Sequence, residues 1–295
     1  MVTRHAVVAG STGFIGAALV KRLRADGWRV TALVRRDPTS ADEIQWNPVT
    51  GELDPAVLSG ADAVINLAGS SISRMPWTKA IKADLMDSRR TTTETIVSAI
   101  NSAKVTPKVF LSASAIGFYG HRGDEELTEK SKRGDGFLAD VCVAWEGWAS
   151  RSKCRTVFLR TGLVLGRGGA LAPLKLATLF GAGARVGSGR QWWPWISLRD
   201  EVRAIVHLID STVSGPVNLV GPTPATANTV TRALATALIR PHLFVIPAFA
   251  IKLLGEAGFE LLLSSHRLTP EVLLADGFRF EHPTASNAVR WAITD

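Results

Sequence analysis

Seven residues near the start, Gly10-Ser11-Thr12-Gly13-Phe14-Ile15-Gly16, place glycines at every third position after an apolar run and at the opening of a helical one. A doubly wound sheet holds the pyrophosphate of a dinucleotide at such a turn. The first glycine turns the chain out of the strand, backbone lies close to the phosphates at the positive helix end, and the last glycine lets helix and sheet pack closely. The Gly-Lys-Ser/Thr ending of a P-loop is missing. About twenty residues on, where an NAD binder would show an acid, "LVRRDP" puts Arg35 and Arg36 at the strand tip, with Asp37 beyond them. Two guanidinium forks suit a ribose 2′-phosphate, so NADP(H) is the expected cofactor; the other reading is two solvated arginines on a loop. "NLAG" ends a later strand, and Leu67, Ala68 and Gly69 would let backbone approach the same ligand.

Two further stretches carry polar and aromatic groups of chemical interest. "SASAIGFYG" (112–120) contains Ser114 and Tyr119, the single tyrosine of the chain. Tyr119 is read as a proton donor, a pocket-lining residue or a packing residue. "GSGRQWWPWISLRDEV" (187–202) offers Arg190 with Trp192, Trp193 and Trp195. Three tryptophans around a proline form either a stacking wall for a flat or apolar group or the core of a small lobe. His121 reads as a loop histidine, and Asp140 and Glu146 as solvated or helix-pairing carboxylates.

The elements that must position these groups are legible as alternation. Short apolar runs at 6–10, 29–34, 63–69, 108–114 and 156–162 are separated by helical stretches after Gly13, from Trp77 to Ala103, and after Gly136. Near-continuous apolar strands between helices predict an α/β fold, a Rossmann-type doubly wound parallel sheet covered on both faces. After about Gly166 the chain becomes rich in Gly and Pro. The expected organisation is a dinucleotide-binding domain over 1–165 and, over 166–295, mainly a smaller substrate lobe, part of it returning to the sheet.

The bulk composition fits such a protein. The chain has 295 residues, 46% hydrophobic and 20% charged, with a net charge of +8 spread along the sequence without basic runs. No nucleic-acid-binding module accompanies that charge, so nucleic acid is not an expected partner; an anionic cofactor or small-molecule substrate is. Cys142 and Cys154 form no metal-ligand spacing, and two cysteines make no disulfide framework. A reducing cytoplasm and no membrane association are expected, as monomer or homodimer. The most apolar late stretch (244–263) is interrupted by Lys252, Glu256 and Glu260 and is expected to form a pair of core helices rather than a membrane span.

The chain resembles the extended short-chain dehydrogenase/reductases through "GSTGFIG", "NLAG", "SASAIGFYG", "LRTGLVLG" and "GSGRQWWPWISLRDEV". It is closer still to an atypical branch, the NAD(P)-dependent epimerase-like (SulA-like) proteins often labelled nucleoside-diphosphate-sugar epimerases. The resemblance implies an NADP-type Rossmann fold and oxidoreductase or epimerase chemistry, without naming a substrate. In the wider family a Ser or Thr after the fifth strand works with a Tyr-x-x-x-Lys on the next helix: the lysine lowers the phenol pKa, and the tyrosinate exchanges the substrate proton while nicotinamide takes the hydride. Ser114 matches that serine, either facing substrate or satisfying strand-end backbone. The helix that should carry the pair reads "FLADVCVAWEGW", with Phe137 or Leu138 for tyrosine and Val141 or Cys142 for lysine. Tyr119 has Gly123 at i+4, so no Tyr-x-x-x-Lys exists anywhere in this chain. The alternative expectation is therefore a non-catalytic NADP(H) sensor or binding protein.

Overall fold

The apolar runs fold into one parallel sheet. In this computed structural model, which describes residues 3–169 and 171–294, the first strands are β1 (His5–Ala9), β2 (Arg29–Val34), β3 (Glu43–Gln45), β4 (Ala63–Asn66), β5 (Val109–Ala115), β6 (Glu126–Leu127) and β7 (Arg155–Thr161). They are followed by β8 (Leu163–Leu165), β9 (Gly183–Val186), β10 (Trp195–Ser197), β11 (Gly215–Leu219), β12 (His242–Ile246) and β13 (Arg267–Leu268). Seven of them form the central sheet in the order β11-β7-β5-β4-β1-β2-β3, every pairing parallel. All residues of β1 and β4 are buried, as expected for strands with both faces covered. The strand order reverses between β1 and β4, which opens a crevice at their C-terminal ends.

The larger helices are α1 (Phe14–Ala25), α2 (Lys79–Ser102), α3 (Phe137–Ala149), α4 (Leu171–Leu179), α5 (Leu198–Asp210) and α6 (Ala227–Ala237). Four more close the chain: α7 (Ala248–Lys252), α8 (Gly255–Gly258), α9 (Glu271–Ala275) and α10 (Ala285–Thr294). Leu19 and Leu23 of α1 join Ile205 and Leu208 of α5 against Val8, Ile65 and Leu159 on one face of the sheet. On the other face, Ile96 and Ile100 of α2 pack on Val7, Val64 and Phe110. Hydroxyls start three helices in the ordinary way: Thr78 accepts from the Ile81 N–H, Ser197 from Asp200 and Thr226 from Thr229.

β11 comes late in the sequence and returns to the sheet edge, Val217 pairing with Leu159. Around it, the pairs β8–β10, β9–β12 and β6–β13 form small parallel ladders, and α6 and α10 enclose a second core with Trp193, Trp195 and Val230. The expected pair of core helices over 244–263 is reduced to two short ones, α7 and α8. Pro247 and Gly255, whose φ is +68°, break the stretch into β12, two short helices and a π turn, leaving Leu243, Phe244, Phe249 and Leu253 exposed. Among the described residues, no helix is long and apolar enough to cross a membrane.

α5 also buries a carboxyl. Glu201 is 1% exposed; its Oε1 accepts from Thr161 Oγ1 at 2.9 Å, while Oε2 has no partner among the described residues. Burial pushes its pKa up to about 8. A folded-state pKa above the unfolded one gives stability that is complete below the unfolded value and is lost as pH rises through the folded one. Urea unfolding should therefore show stability falling between pH 4.5 and about 8, and Glu201→Gln should flatten that part of the profile. An equally steep fall in the variant would assign the slope to another group.

Candidate functional site

At the crevice, the glycine turn is pressed backbone to backbone against the loop after β4. Gly10 has φ +81°, and a Cβ there would stand 2.7 Å from the Leu67 carbonyl carbon and 2.9 Å from the Ala68 nitrogen. A Cβ at Gly16 would collide with the Gly10 carbonyl. Gly13, whose N–H donates to the Gly10 carbonyl at 3.0 Å, starts α1 with no side-chain cap and no acid in the first turn. The free N–H groups and positive end of α1 thus remain available to an anion. Ser11 is half-buried and Thr12 exposed on the turn; Ile15 packs on the sheet core. Phe14 lies against Gly166, Gly168 and Gly169, where a Cβ would come within 2.7–3.3 Å of its ring. Glycine at those positions gives the ring its space.

The two arginines at the tip of β2 have different surroundings. Arg36 donates to both carboxylate oxygens of Glu43, at 2.8 and 2.6 Å, and to the Asp37 carbonyl. That fork holds the Glu43 carboxyl down at about 2. Arg35 is exposed and donates to no described residue. Of the expected pair, Arg35 is the one with free donors.

Ser114, 4% exposed at the end of β5, donates to Glu146 Oε1 at 2.7 Å. Glu146 accepts both Arg160 Nε and Nη2 at 2.8 Å. Arg160 Nη1 in turn donates to the Tyr119 hydroxyl at 2.9 Å, and that hydroxyl donates to Asn218 Oδ1 at 2.7 Å. This corrects two expectations. Glu146 is a buried ion-pair member and not a solvated carboxylate. Tyr119 is fully buried, with burial pushing its pKa up to about 12, so it neither lines a pocket nor reaches a substrate. Its side chain joins the 3₁₀ turn at Ile116–Tyr119 to β7 and β11.

A cleft of about 510 Å³ opens just beyond that turn, lined in part by Gly117, His121, Arg133, Leu138, Phe259 and Glu260. Its floor carries the absence noted in the sequence, because Leu138 faces Gly117, where a Cβ would stand only 2.8 Å from the leucine Cβ. Glu260 closes one end of the cleft by accepting the Phe137 and Leu138 N–H groups at 2.9 and 3.0 Å, which caps α3 from another element. Burial raises its pKa nonetheless. His121 Nδ1 accepts the Ser265 N–H at 3.1 Å, so in the neutral ring the proton resides on Nε2. His266 is buried and held down at about 4, a neutral ring at physiological pH.

The expected tryptophan wall is likewise corrected. Trp193 and Trp195 are 6% and 1% exposed and belong to the second core, donating to the Leu262 and Thr223 carbonyls. A Cβ at Gly221 would stand 2.6 Å from the Trp195 ring, which leaves no room for a guest there. Trp192 is half-buried and donates to Asp124 Oδ1 at 2.7 Å, and Arg190 is exposed, away from the cleft lining. Several residues of the site were missed in the sequence: Arg160, Asn218 and Glu260. Arg160 stands beside "TGLVLG" and was readable as a buried charge in an apolar strand. Glu260 reaches residues more than 120 positions away and left no local signal.

The NAD dependent epimerase/dehydratase family profile matches residues 6–221, and a domain of unknown function (DUF1731) matches 246–292. An epimerase family protein of Mycobacterium leprae is 42% identical over 300 residues, covering 99% of this chain and 97% of its own. The crystal structure of human epimerase family protein SDR39U1 (isoform 2) with NADPH superposes with a TM-score of 0.91 at 30% identity, over 98% of this chain and 99% of that one. A nucleoside-diphosphate sugar epimerase from Corynebacterium glutamicum gives 0.81 at 32% identity, over 99% of this chain and 58% of its own.

Removing the phenol oxygen strands two buried partners, Arg160 Nη1 and Asn218 Oδ1. Tyr119→Phe is expected to lower the unfolding free energy by about 1–3 kcal/mol. Urea denaturation measures it, and an unchanged midpoint would mean that the hydroxyl carries no structural weight.

Proposed function

The chain belongs to the NAD dependent epimerase/dehydratase family, and on that premise we propose that it binds NADP(H) and carries out oxidoreductase or epimerase-like chemistry on a small carbonyl or hydroxyl substrate. The observation that carries the reading is the uncapped, acid-free start of α1 at the sheet's switch point, reached through a glycine turn packed on the Leu67–Ala68 peptide too closely for any side chain, an arrangement that suits a pyrophosphate. Gly10 to Gly16 would hold the phosphates and Leu67, Ala68 and Gly69 the adjoining ribose. Arg35, with its donors free, would take the 2′-phosphate, while Arg36 fixes the strand tip through Glu43. The NADPH named with the human relative supports the phosphorylated form. When bound, the nicotinamide supplies hydride exchange.

The remaining steps fall to side chains other than a Tyr-Lys pair. Ser114 gives its own proton to Glu146, so toward a substrate hydroxyl it acts as an acceptor that orients. In the cleft lining His121 has Nδ1 occupied by the Ser265 N–H and Nε2 without a partner among the described residues, and we assign it the proton transfer. Leu138 and Phe259 give the cleft apolar walls suited to a small substrate. The second reading, a non-catalytic NADP(H) binding protein, is favoured by the missing pair and by the burial of Tyr119. In both readings the chain is a cytoplasmic protein whose ligands are small molecules.

Calorimetric titration should give tighter binding of NADPH than of NADH, with Arg35→Asp weakening NADPH by about tenfold or more and moving NADH little. Equal affinities in the wild type would remove the preference for the phosphorylated cofactor. With a panel of small carbonyl substrates, any NADPH oxidation should fall by about 100-fold in His121→Ala. Turnover that survives that change excludes His121, and cofactor binding without turnover on any substrate favours the second reading.

A further inference from the structure

Arg89 is a buried cation without an anion. It is 9% exposed on α2, and among the described residues it makes no ion pair. Its Nη1 donates to two neutral carbonyls, Ser70 at 3.2 Å and Leu85 at 2.9 Å, while Nε and Nη2 donate to no described residue. The face of Trp145 lies 4.9 Å from its Cζ, and desolvation draws its pKa below the ordinary arginine value. The comparison within the chain is Arg160, equally buried but met by both oxygens of Glu146. Nε and Nη2 of Arg89 are not among the fully buried polar atoms that lack a partner, so these two donors reach water, or a ligand that replaces it.

The position of Arg89 indicates what that is. A Cβ on Gly69 would lie 3.5 Å from Arg89 Cγ and Cζ, so the side chain runs directly beneath the loop after β4. The same loop meets the glycine turn at the crevice. Trp145 and Asn66 both donate to Thr93 Oγ1, at 3.0 and 3.2 Å, and this shared anchor fixes α3 and the end of β4 around Arg89. Its charge also acts on Cys142, on the helix turn where a lysine of a Tyr-x-x-x-Lys pair would stand. In a sheet of this order, β1 to β3 hold the adenosine half of a dinucleotide and the strands beyond the reversal hold the other half. α2 connects β4 to β5 on that second side, and β5 ends near Ser114.

We propose that Arg89 binds the nicotinamide-side ribose and adjoining phosphate of the cofactor, bringing from α2 the positive charge that α3 lacks. The proposal rests on the reading that the chain binds a nicotinamide dinucleotide. Its free Nε and Nη2 are the donors for that contact, and Trp145 and the two carbonyls hold the guanidinium plane in place before the ligand arrives.

The test is calorimetric titration of wild type, Arg89→Met, Arg89→Lys and Arg35→Met with two ligands, NADPH and 2′,5′-ADP. The second ligand carries only the adenosine half and its 2′-phosphate. Arg89→Met should weaken NADPH by about tenfold or more and leave 2′,5′-ADP within about twofold, with Arg89→Lys regaining part of the loss. Arg35→Met should weaken both ligands. Retained 2′,5′-ADP binding also reports that the variants are folded. NADPH affinity unchanged in Arg89→Met, or both ligands lost together, overturns the assignment while leaving the cofactor reading intact if wild type binds NADPH. A wild type that binds neither ligand overturns the cofactor reading and this assignment with it.

Discussion

Glu146 and Arg160 meet through two parallel N–H···O bonds with side chains only 11% and 4% exposed. Removing two charges from water costs several kcal/mol per ion, and only near-ideal geometry with further hydrogen bonds offsets it. Here further hydrogen bonds hold both partners. Ser114 donates to the carboxylate, Tyr119 accepts from the guanidinium, and the Phe118 ring lies 3.5 Å under it. Asn218 takes the phenol proton and passes its own N–H to the Thr269 carbonyl. One ion pair therefore fixes β5, α3, β7, β11 and the C-terminal segment relative to one another. The orientation of Ser114 is a consequence of that arrangement, not of its own strand.

Much of the frame was readable because it is local. Strands with both faces covered are apolar without interruption, and the turn at Gly10–Gly16 needs glycine for reasons internal to seven residues. The helix that lacks a phenol and an ammonium is also a local fact. What escaped depends on partners far away in the chain. Tyr119 looks like a pocket residue until Asn218, 99 positions on, is seen to take its proton. Trp193 and Trp195 are as aromatic in a core as they would be beside a ligand, and their sequence does not tell the two apart. The stretch 244–263 carries the composition of core helices, yet Pro247 and Gly255 impose turns that composition averages away. Arg89 sits within an ordinary amphipathic helix, and only its lack of an ion pair among the described residues sets it apart.

The structure also clarifies what replaces the missing pair on α3. Where a phenol and an ammonium would face the crevice, Leu138 rests on Gly117 and the Cys142 thiol, pushed up to about 12 by burial, donates to the Ala115 carbonyl. The helix face is sealed by packing, and the one charge next along it, Glu146, is taken up by Arg160. Its start is capped by Glu260 from the C-terminal segment, so the cleft and the helix share one carboxylate. The polar roles proposed for this chain lie elsewhere, on the loop that carries His121 and on the helix that carries Arg89.

β11 has one more consequence. The strand that completes the sheet edge is supplied by residues 215–219, after the chain has already built β8, α4, β9 and β10 of the smaller lobe. It brings Asn218 into the network, and α5 just before it brings Glu201 under β7. The first 165 residues therefore carry only six of the seven strands, and a chain cut after β8 would lack the edge that β11 closes.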